Sequence, residues 1–241
     1  MFLFRQSKTN ILKTKLLQGM TDVHTHLLPA VDDGVQSLDD SLHSLLYLQE
    51  LGVKRIYCTP HIMADMKENT PVLLQEKFKE YQQHIPAGLE MRLAGEYMLD
   101  AKFPTLLPDG LLTMANKHVL IETSYLSPPP DLLDMIYQVT LEGYIPIIAH
   151  PERYVYMDER FYRKLKDKDY KLQLNLFSLS GFYGKRAEHY SNYLLEKGFY
   201  DFTGSDFHDL TKYQNALEHL SLKKKQIAEL ERIIRNNDIL W

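Results

Sequence analysis

The 241-residue chain carries 28 Lys and Arg against 32 Asp and Glu, a formal net charge of −4, with 44% hydrophobic and 25% charged residues. That balance supports a sizeable core and excludes a disordered chain. It also disfavours a nucleic-acid binder working through phosphate contacts. The single cysteine, Cys58, excludes an internal disulfide and a cysteine-rich zinc site, and points to a reducing cytoplasm.

No run reaches the ~18 apolar residues that a membrane span needs. Phe2, Leu3, Phe4 and Arg5 do not follow the basic-then-apolar order of a secretion signal. Residues 1–19 are expected to be an extension packed across the bottom of a single domain at 20–241. Along that domain short apolar runs alternate with amphipathic stretches. Strands are expected at 20–24, 54–58, 90–95, 118–122, 145–149, 171–174 and 200–204, and helices near 37–51, 71–84, 130–142, 158–166 and 185–196. Ser37 stands as an N-cap with Asp39 and Asp40 in the first turn. Gly52, Gly143 and Gly198 fall where helices need a left-handed C-cap. A last helix over 221–236 puts Ile227, Leu230 and Ile234 on one face, leaving Lys223, Lys224 and Lys225 solvated.

Seven strands alternating with helices indicate an α/β fold with a largely parallel sheet. An open nucleotide-binding sheet should carry a glycine-rich loop after its first strand. Here His24-Thr25-His26 stands instead, so a closed (β/α) barrel is favoured.

Nearly every strand ends in a residue type that binds metals: His24 and His26 with Asp33 after strand one, His61 after strand two, Glu96, Glu122, His150, and finally Asp206 with His208. In a parallel barrel these ends share one face. Taken singly, a histidine at a strand end is more often a hydrogen-bonded packing residue. Five imidazoles and four carboxylates in one cup are costly to bury without cations. Zinc, manganese and iron all suit such mixed donors. Nine ligands overfill one site, so two or three divalent ions are expected. Four carboxylates and a bridging hydroxide nearly balance three divalent charges, and the small positive surplus favours an anionic substrate.

These stretches resemble the polymerase-and-histidinol-phosphatase (PHP) family of metal-dependent phosphoesterases, most closely its branch of protein-tyrosine phosphatases encoded with bacterial capsule and exopolysaccharide genes. The resemblance rests on Thr21-Asp22-Val23-His24-Thr25-His26-Leu27-Leu28-Pro29 with Asp32-Asp33-Gly34, on Cys58-Thr59-Pro60-His61, and on Ala94-Gly95-Glu96. It continues through Ile121-Glu122, Ile148-Ala149-His150-Pro151-Glu152-Arg153-Tyr154 and Gly204-Ser205-Asp206-Phe207-His208, in order over residues 20–208.

The resemblance implies a distorted seven-stranded (β/α) TIM-like barrel with a trinuclear centre. His24, His26, Glu96 and Asp206 would hold one ion, and Glu96, Glu122 and His150 a second. Asp33, His61 and His208 would hold a third, with Asp32 a weaker candidate. Manganese is the first expectation, iron and zinc the alternatives. The ions would share a hydroxide and clamp phosphate oxygens, with Arg153, Asp206 and His208 as catalytic residues. Arg153 would offer a planar fork to the phosphate. The second arginine of the family pattern is missing, and Lys212 stands nearby as a point charge. Tyr97, Tyr125, Phe177 and Tyr183 either flank a phosphotyrosine ring or pack loops over the mouth.

The implied substrate is a phosphotyrosine-containing protein such as a bacterial tyrosine kinase. A histidinol-phosphate or other small-molecule phosphatase, a metal-dependent amidohydrolase and a non-catalytic barrel are the competing readings. A cysteine-based phosphatase is excluded, because the position six after Cys58 is Ala64, not arginine.

Overall fold

The computed structural model describes residues 7–241, so the expectations for Phe2, Leu3, Phe4 and Arg5 lie outside the described residues. The chain opens with β1 (Lys8–Asn10), β2 (Thr21–Thr25) and α1 (Leu38–Glu50), then β3 (Arg55–Cys58), β4 (His61–Ile62) and α2 (Pro71–Tyr81). Next come β5 (Glu90–Leu93), β6 (Glu96–Met98), the single turn α3 (Phe103–Leu106), β7 (His118–Glu122), α4 (Leu132–Leu141) and β8 (Ile145–Ala149). It closes with α5 (Glu159–Asp167), β9 (Lys171–Asn175), α6 (Lys185–Glu196), β10 (Phe202–Gly204), α7 (Leu210–His219), β11 (Ser221–Lys223) and α8 (Lys224–Asn236).

The helices start where side chains can satisfy free N–H groups. Ser37 accepts from Asp40 N at 3.1 Å, Thr70 caps α2 ahead of Pro71, and Asp158 accepts from Arg160 N and Phe161 N. Helix α7 lies outside the expected set. Asp209 caps it through Lys212 N at 2.7 Å, and its buried stripe is only Tyr213, Ala216 and Leu217. The expected last helix begins at Lys224, because Ser221–Lys223 instead pairs antiparallel with β1.

The fold is mixed α/β with parallel sheets. A six-stranded sheet runs β10-β9-β8-β7-β6-β4, and a three-stranded sheet runs β2-β3-β5, every pair parallel. Strand 90–95 is expected to be continuous but ends at Leu93, and Glu96 opens β6 in the other sheet. Pro60 offers no N–H to the ladder, so β3 turns at Thr59-Pro60. Its neighbour turns with it, held by Ala94 N to Cys58 O (2.9 Å) and Glu96 N to Pro60 O (3.1 Å). On the far side Asp206 N donates to His24 O and His26 N to Phe207 O, both at 2.8 Å, joining β2 to the segment after β10.

One apolar cluster fills the space between strands and helices. A second, smaller cluster lies between the strands: Val23 and Tyr57 of one sheet, with Ala94 just past β5, meet Leu120, Ile147, Ala149 and Phe202 of the other, with Leu240 inserted from the C-terminal turn. Glu122 follows Leu120 by two residues, so the same strand face passes from apolar to ionisable.

Candidate metal centre

All nine expected ligands stand together above that apolar layer. The β2–β3 ladder shifts register between Asp22 and Thr25, a bulge that turns His24 into the cup although Val23 packs below. His24 Nε2 and His26 Nε2 are then 3.2 Å apart. Glu96 Oε2 lies 3.0 and 3.3 Å from them, and Asp206 Oδ1 3.3 and 3.4 Å. These four residues form one group whose donor atoms all converge.

A second group contains the whole of another expected set, and a third departs from its expectation. Asp33 Oδ1 is 3.4 Å from His61 Nε2 and 3.3 Å from His208 Nε2, and His26 joins this trio. His61 turns its other nitrogen, Nδ1, to Glu122 Oε1 at 2.8 Å and Glu96 Oε2 at 3.2 Å, so His61 stands where His150 is expected. His150 sits against the far oxygen of the shared carboxylate, Nε2 to Glu96 Oε1 at 3.1 Å.

Backbone geometry serves this crowding. His150 (φ 32°) and Asp206 (φ 56°) both adopt the left-handed conformation, a strained choice for residues with a Cβ and one that gathers at functional sites. Gly204 lets β10 pass close to β2, since a Cβ there would come within 2.5 Å of His24 Cβ and 2.9 Å of Gln173 Nε2. Gly34 similarly lies against His26, whose backbone oxygen and Cβ an alanine would strike.

The ionisation pattern follows from burial opposed by partners. Burial favours neutral His24 and His26, yet Glu96, Asp206 and Asp32 outweigh it and hold both above the usual histidine range. Burial likewise opposes the charge on His61, but Glu96 leads the groups that push it up to about 10. Burial and then Arg153 push His150 down to about 4. Glu96 and Asp206 are drawn well below the carboxylate range by facing imidazoles that overcome burial, while burial and Glu96 push Glu122 up.

The donors fit a cation better than they fit one another. Glu96 Oε2, Glu122 Oε1, His61 Nδ1 and His150 Nδ1 are buried with no hydrogen-bond partner, although buried polar atoms are rarely left so. His61 Nδ1 and Glu122 Oε1 lie within 2.8 Å without aligning as donor and acceptor. Lone pairs that converge without bonding are what a shared cation satisfies, and mixed imidazole and carboxylate donors suit zinc, manganese and iron.

Sequence reasoning named Asp32 only as a weaker ligand candidate and missed Gln173 and Asn175, and all three orient the cup residues. Asp32 Oδ2 accepts from His26 Nδ1 at 2.7 Å and from His61 N at 3.1 Å, which leaves His26 Nε2 facing the cup. Gln173 Oε1 lies 3.2 Å from His24 Nδ1 and accepts from His150 N at 3.3 Å. Asn175 Nδ2 donates to Asp206 Oδ2 at 3.0 Å. Such partners fix tautomer and ring direction. One signal was present: Gln173 and Asn175 alternate with Leu172 and Leu174, two amides on one face of a buried strand.

Arg153 occupies the short turn after β8. Its Nη1 donates to Asp206 Oδ2 at 2.6 Å, and its guanidinium lies between the rings of Tyr125 (4.5 Å) and Tyr183 (4.0 Å). Those two aromatics therefore clamp the arginine. Tyr97 does not reach the cleft: it is fully buried, with its hydroxyl accepting from Leu112 N at 2.7 Å. Phe177 is buried at the cleft wall, edge-on to Tyr213. A cleft of about 410 Å³ opens above, lined by Asp33, His61, Glu122, Arg153, His208 and Lys212 among others.

A family model described as capsular polysaccharide synthesis, CpsB/CapC, matches residues 20–238. The chain belongs to the CpsB/CapC family. Tyrosine-protein phosphatase YwqE of Bacillus subtilis (strain 168) is 30% identical over 232 residues, 90% of this chain and 89% of YwqE. Tyrosine-protein phosphatase CpsB of Streptococcus pneumoniae is 28% identical over 210 residues, 79% of this chain and 84% of CpsB. A solved structure from work on YwqE and CpsB, described there as unique metal-dependent tyrosine phosphatases, matches with a TM-score of 0.72 at 27% identity, covering 90% of this CpsB/CapC chain and 95% of that one.

Proposed function

We propose that this protein is a metal-dependent protein-tyrosine phosphatase of capsule or exopolysaccharide synthesis, acting in the cytoplasm on a phosphotyrosine-containing protein such as a bacterial tyrosine kinase. The observation that carries the reading is the set of buried, unpartnered donor atoms beneath a clamped arginine. Membership in the CpsB/CapC family supports it. On the same reading the two parallel sheets are one distorted seven-stranded (β/α) barrel of the PHP type, with β3–β4 and β5–β6 each a single bent strand. The domain is 20–241, and residues 1–19 are its extension.

Two or three divalent ions, manganese first and iron or zinc after it, would be held by His24, His26, Asp33, His61, Glu96, Glu122, His150, Asp206 and His208. When bound they would supply Lewis acidity to the phosphate and activate water at neutral pH. The chain does the rest. Arg153 presents a planar fork to phosphate oxygens, and the two tyrosine rings set its plane before substrate arrives. Asp206 anchors that arginine and, through its backbone carbonyl, accepts from His208 Nδ1 at 2.9 Å, so that Nε2 of His208 faces Asp33 and the cleft. Lys212 adds a point charge at the cleft wall, a weaker grip than a second guanidinium. Phenolate leaves readily (pKa about 10), so little protonation by the chain is needed.

The test is kcat/KM for a tyrosine-phosphorylated peptide against histidinol phosphate. The proposal expects the peptide to be preferred and Arg153→Lys to lower its kcat/KM by about 100-fold. A preference for histidinol phosphate would move the reading to a small-molecule phosphatase.

A further inference from the structure

The cleft wall above His61 and Glu96 is built of thioethers. Strands β4 and β6 pair with His61 opposite Glu96 and Ile62 opposite Tyr97. Residues two apart on a strand share a face, so the next step above His61 is Met63 and the next above Glu96 is Met98. Met63 directly follows the last paired residue of β4, and Met98 is the last residue of β6, so the register continued by one step sets the two methionines beside each other. Both line the cleft, with Met66 as a third, and all three are half-buried. The loop that carries Met63 and Met66 is anchored. Asn69 is buried and donates through Nδ2 to Val31 O and His61 O, each at 2.9 Å, with Met66 Sδ at 3.7 Å. Ala64 N donates to Asp100 Oδ2 at 2.7 Å, tying the loop to the segment that follows Met98. Across the cleft stand Tyr125, Tyr183 and Phe182, the last 42% exposed.

We propose that Met63, Met66 and Met98 form the platform on which the substrate's aryl ring lies, making the centre selective for aryl over alkyl phosphate esters. The inference rests on the phosphatase reading and names what sets its substrate class. Two strand residues rise about 6.6 Å, which lifts Met63 and Met98 above the donor atoms of His61 and Glu96 to the level of a ring joined to phosphate through one oxygen. Sulfur contacts aromatic rings favourably, and unbranched methionine conforms to a ring that enters and leaves. An alkyl ester has no ring to lay there and gains little from the platform.

The experiment measures competitive inhibition of phosphotyrosyl-peptide hydrolysis by phenylphosphonate and by methylphosphonate. It uses the metal-loaded wild type, the pair Met63→Ala/Met98→Ala, the pair Met63→Leu/Met98→Leu, and Met66→Ala alone. Metal content and melting temperature are recorded for each. The wild type is expected to prefer phenylphosphonate. The alanine pair should lose about tenfold of that preference and the Met66 variant about threefold, through weaker ring contact and with metal content unchanged. The leucine pair should keep the preference within about threefold, since apolar volume is retained. Equal affinity for the two inhibitors in the wild type, or an unchanged ratio in the alanine pair or Met66→Ala, overturns the proposal. Wild-type protein that releases no phosphate from the peptide overturns the phosphatase reading, and this inference with it.

Discussion

Two layers of the same strands, one step apart, obey opposite rules. The lower layer, from Val23 and Tyr57 through Leu120, Ile147 and Phe202, is apolar and sealed. It gains stability from burial and from the dense packing of branched side chains. The upper layer holds His24, Glu96, Glu122, His150 and Asp206, nearly as buried but ionisable. It carries two left-handed non-glycine residues and, with His61 beside it, four unpartnered buried atoms. Burial alone does not separate them, for Leu120 and Glu96 are both fully buried. Satisfaction of polar atoms does. The lower layer is complete in itself, whereas the upper one leaves buried donor atoms that a cation would satisfy, so the strand ends spend stability that their lower halves supply.

Substitutions in the two layers should therefore have crossed effects. The largest is expected in the cup: Asp206→Asn, which keeps the left-handed backbone tolerable, should lower kcat on an aryl phosphate by about 1000-fold while urea unfolding shifts little. Unimpaired turnover would break the comparison. One layer down, Leu120→Ala should lower unfolding free energy by about 2–5 kcal/mol, with kcat per folded molecule kept. A large loss of kcat there would mean that the layers are not separable. Gln173→Leu should sharpen the boundary between them. It removes the partner of His24 Nδ1 without touching a ligand atom, so metal titration should show about 10–100-fold weaker binding.

The smallest effect belongs to His118, at the start of β7 and far from the cup. Burial, with a smaller contribution from Lys171, holds its pKa below the usual value against a hydrogen bond to Ala115 O. The folded state thus binds fewer protons than the unfolded one just below the unfolded pKa of about 6.5. Stability should fall as pH drops from there toward the folded pKa, and His118→Gln should flatten that part of the unfolding-versus-pH curve. An unchanged slope would assign the acid sensitivity to the cup instead.

Strand positions were legible because each apolar run carries its own signal. The residue types that gather in the cup were legible because they recur at strand ends. What the sequence hid depends on partners brought from elsewhere. Pro60 breaks one ladder, but the matching turn at Gly95 follows only from the pairing of β3 with β5. Helix α7 has a three-residue apolar stripe, too short to stand out from a loop. Tyr97 reads like a cleft aromatic until Phe103 and Leu112 enclose it. The closeness of His61 to Glu122 depends on which imidazole nitrogen faces inward, and spacing along the chain carries no information about that.

The most direct test of the central claim is a paired measurement on purified protein: metal content per chain, and phosphate release from a tyrosine-phosphorylated peptide before and after chelation. The account predicts two or three divalent ions per chain, release that stops on chelation and returns when metal is restored. Metal-free protein that releases phosphate at the full rate would contradict it.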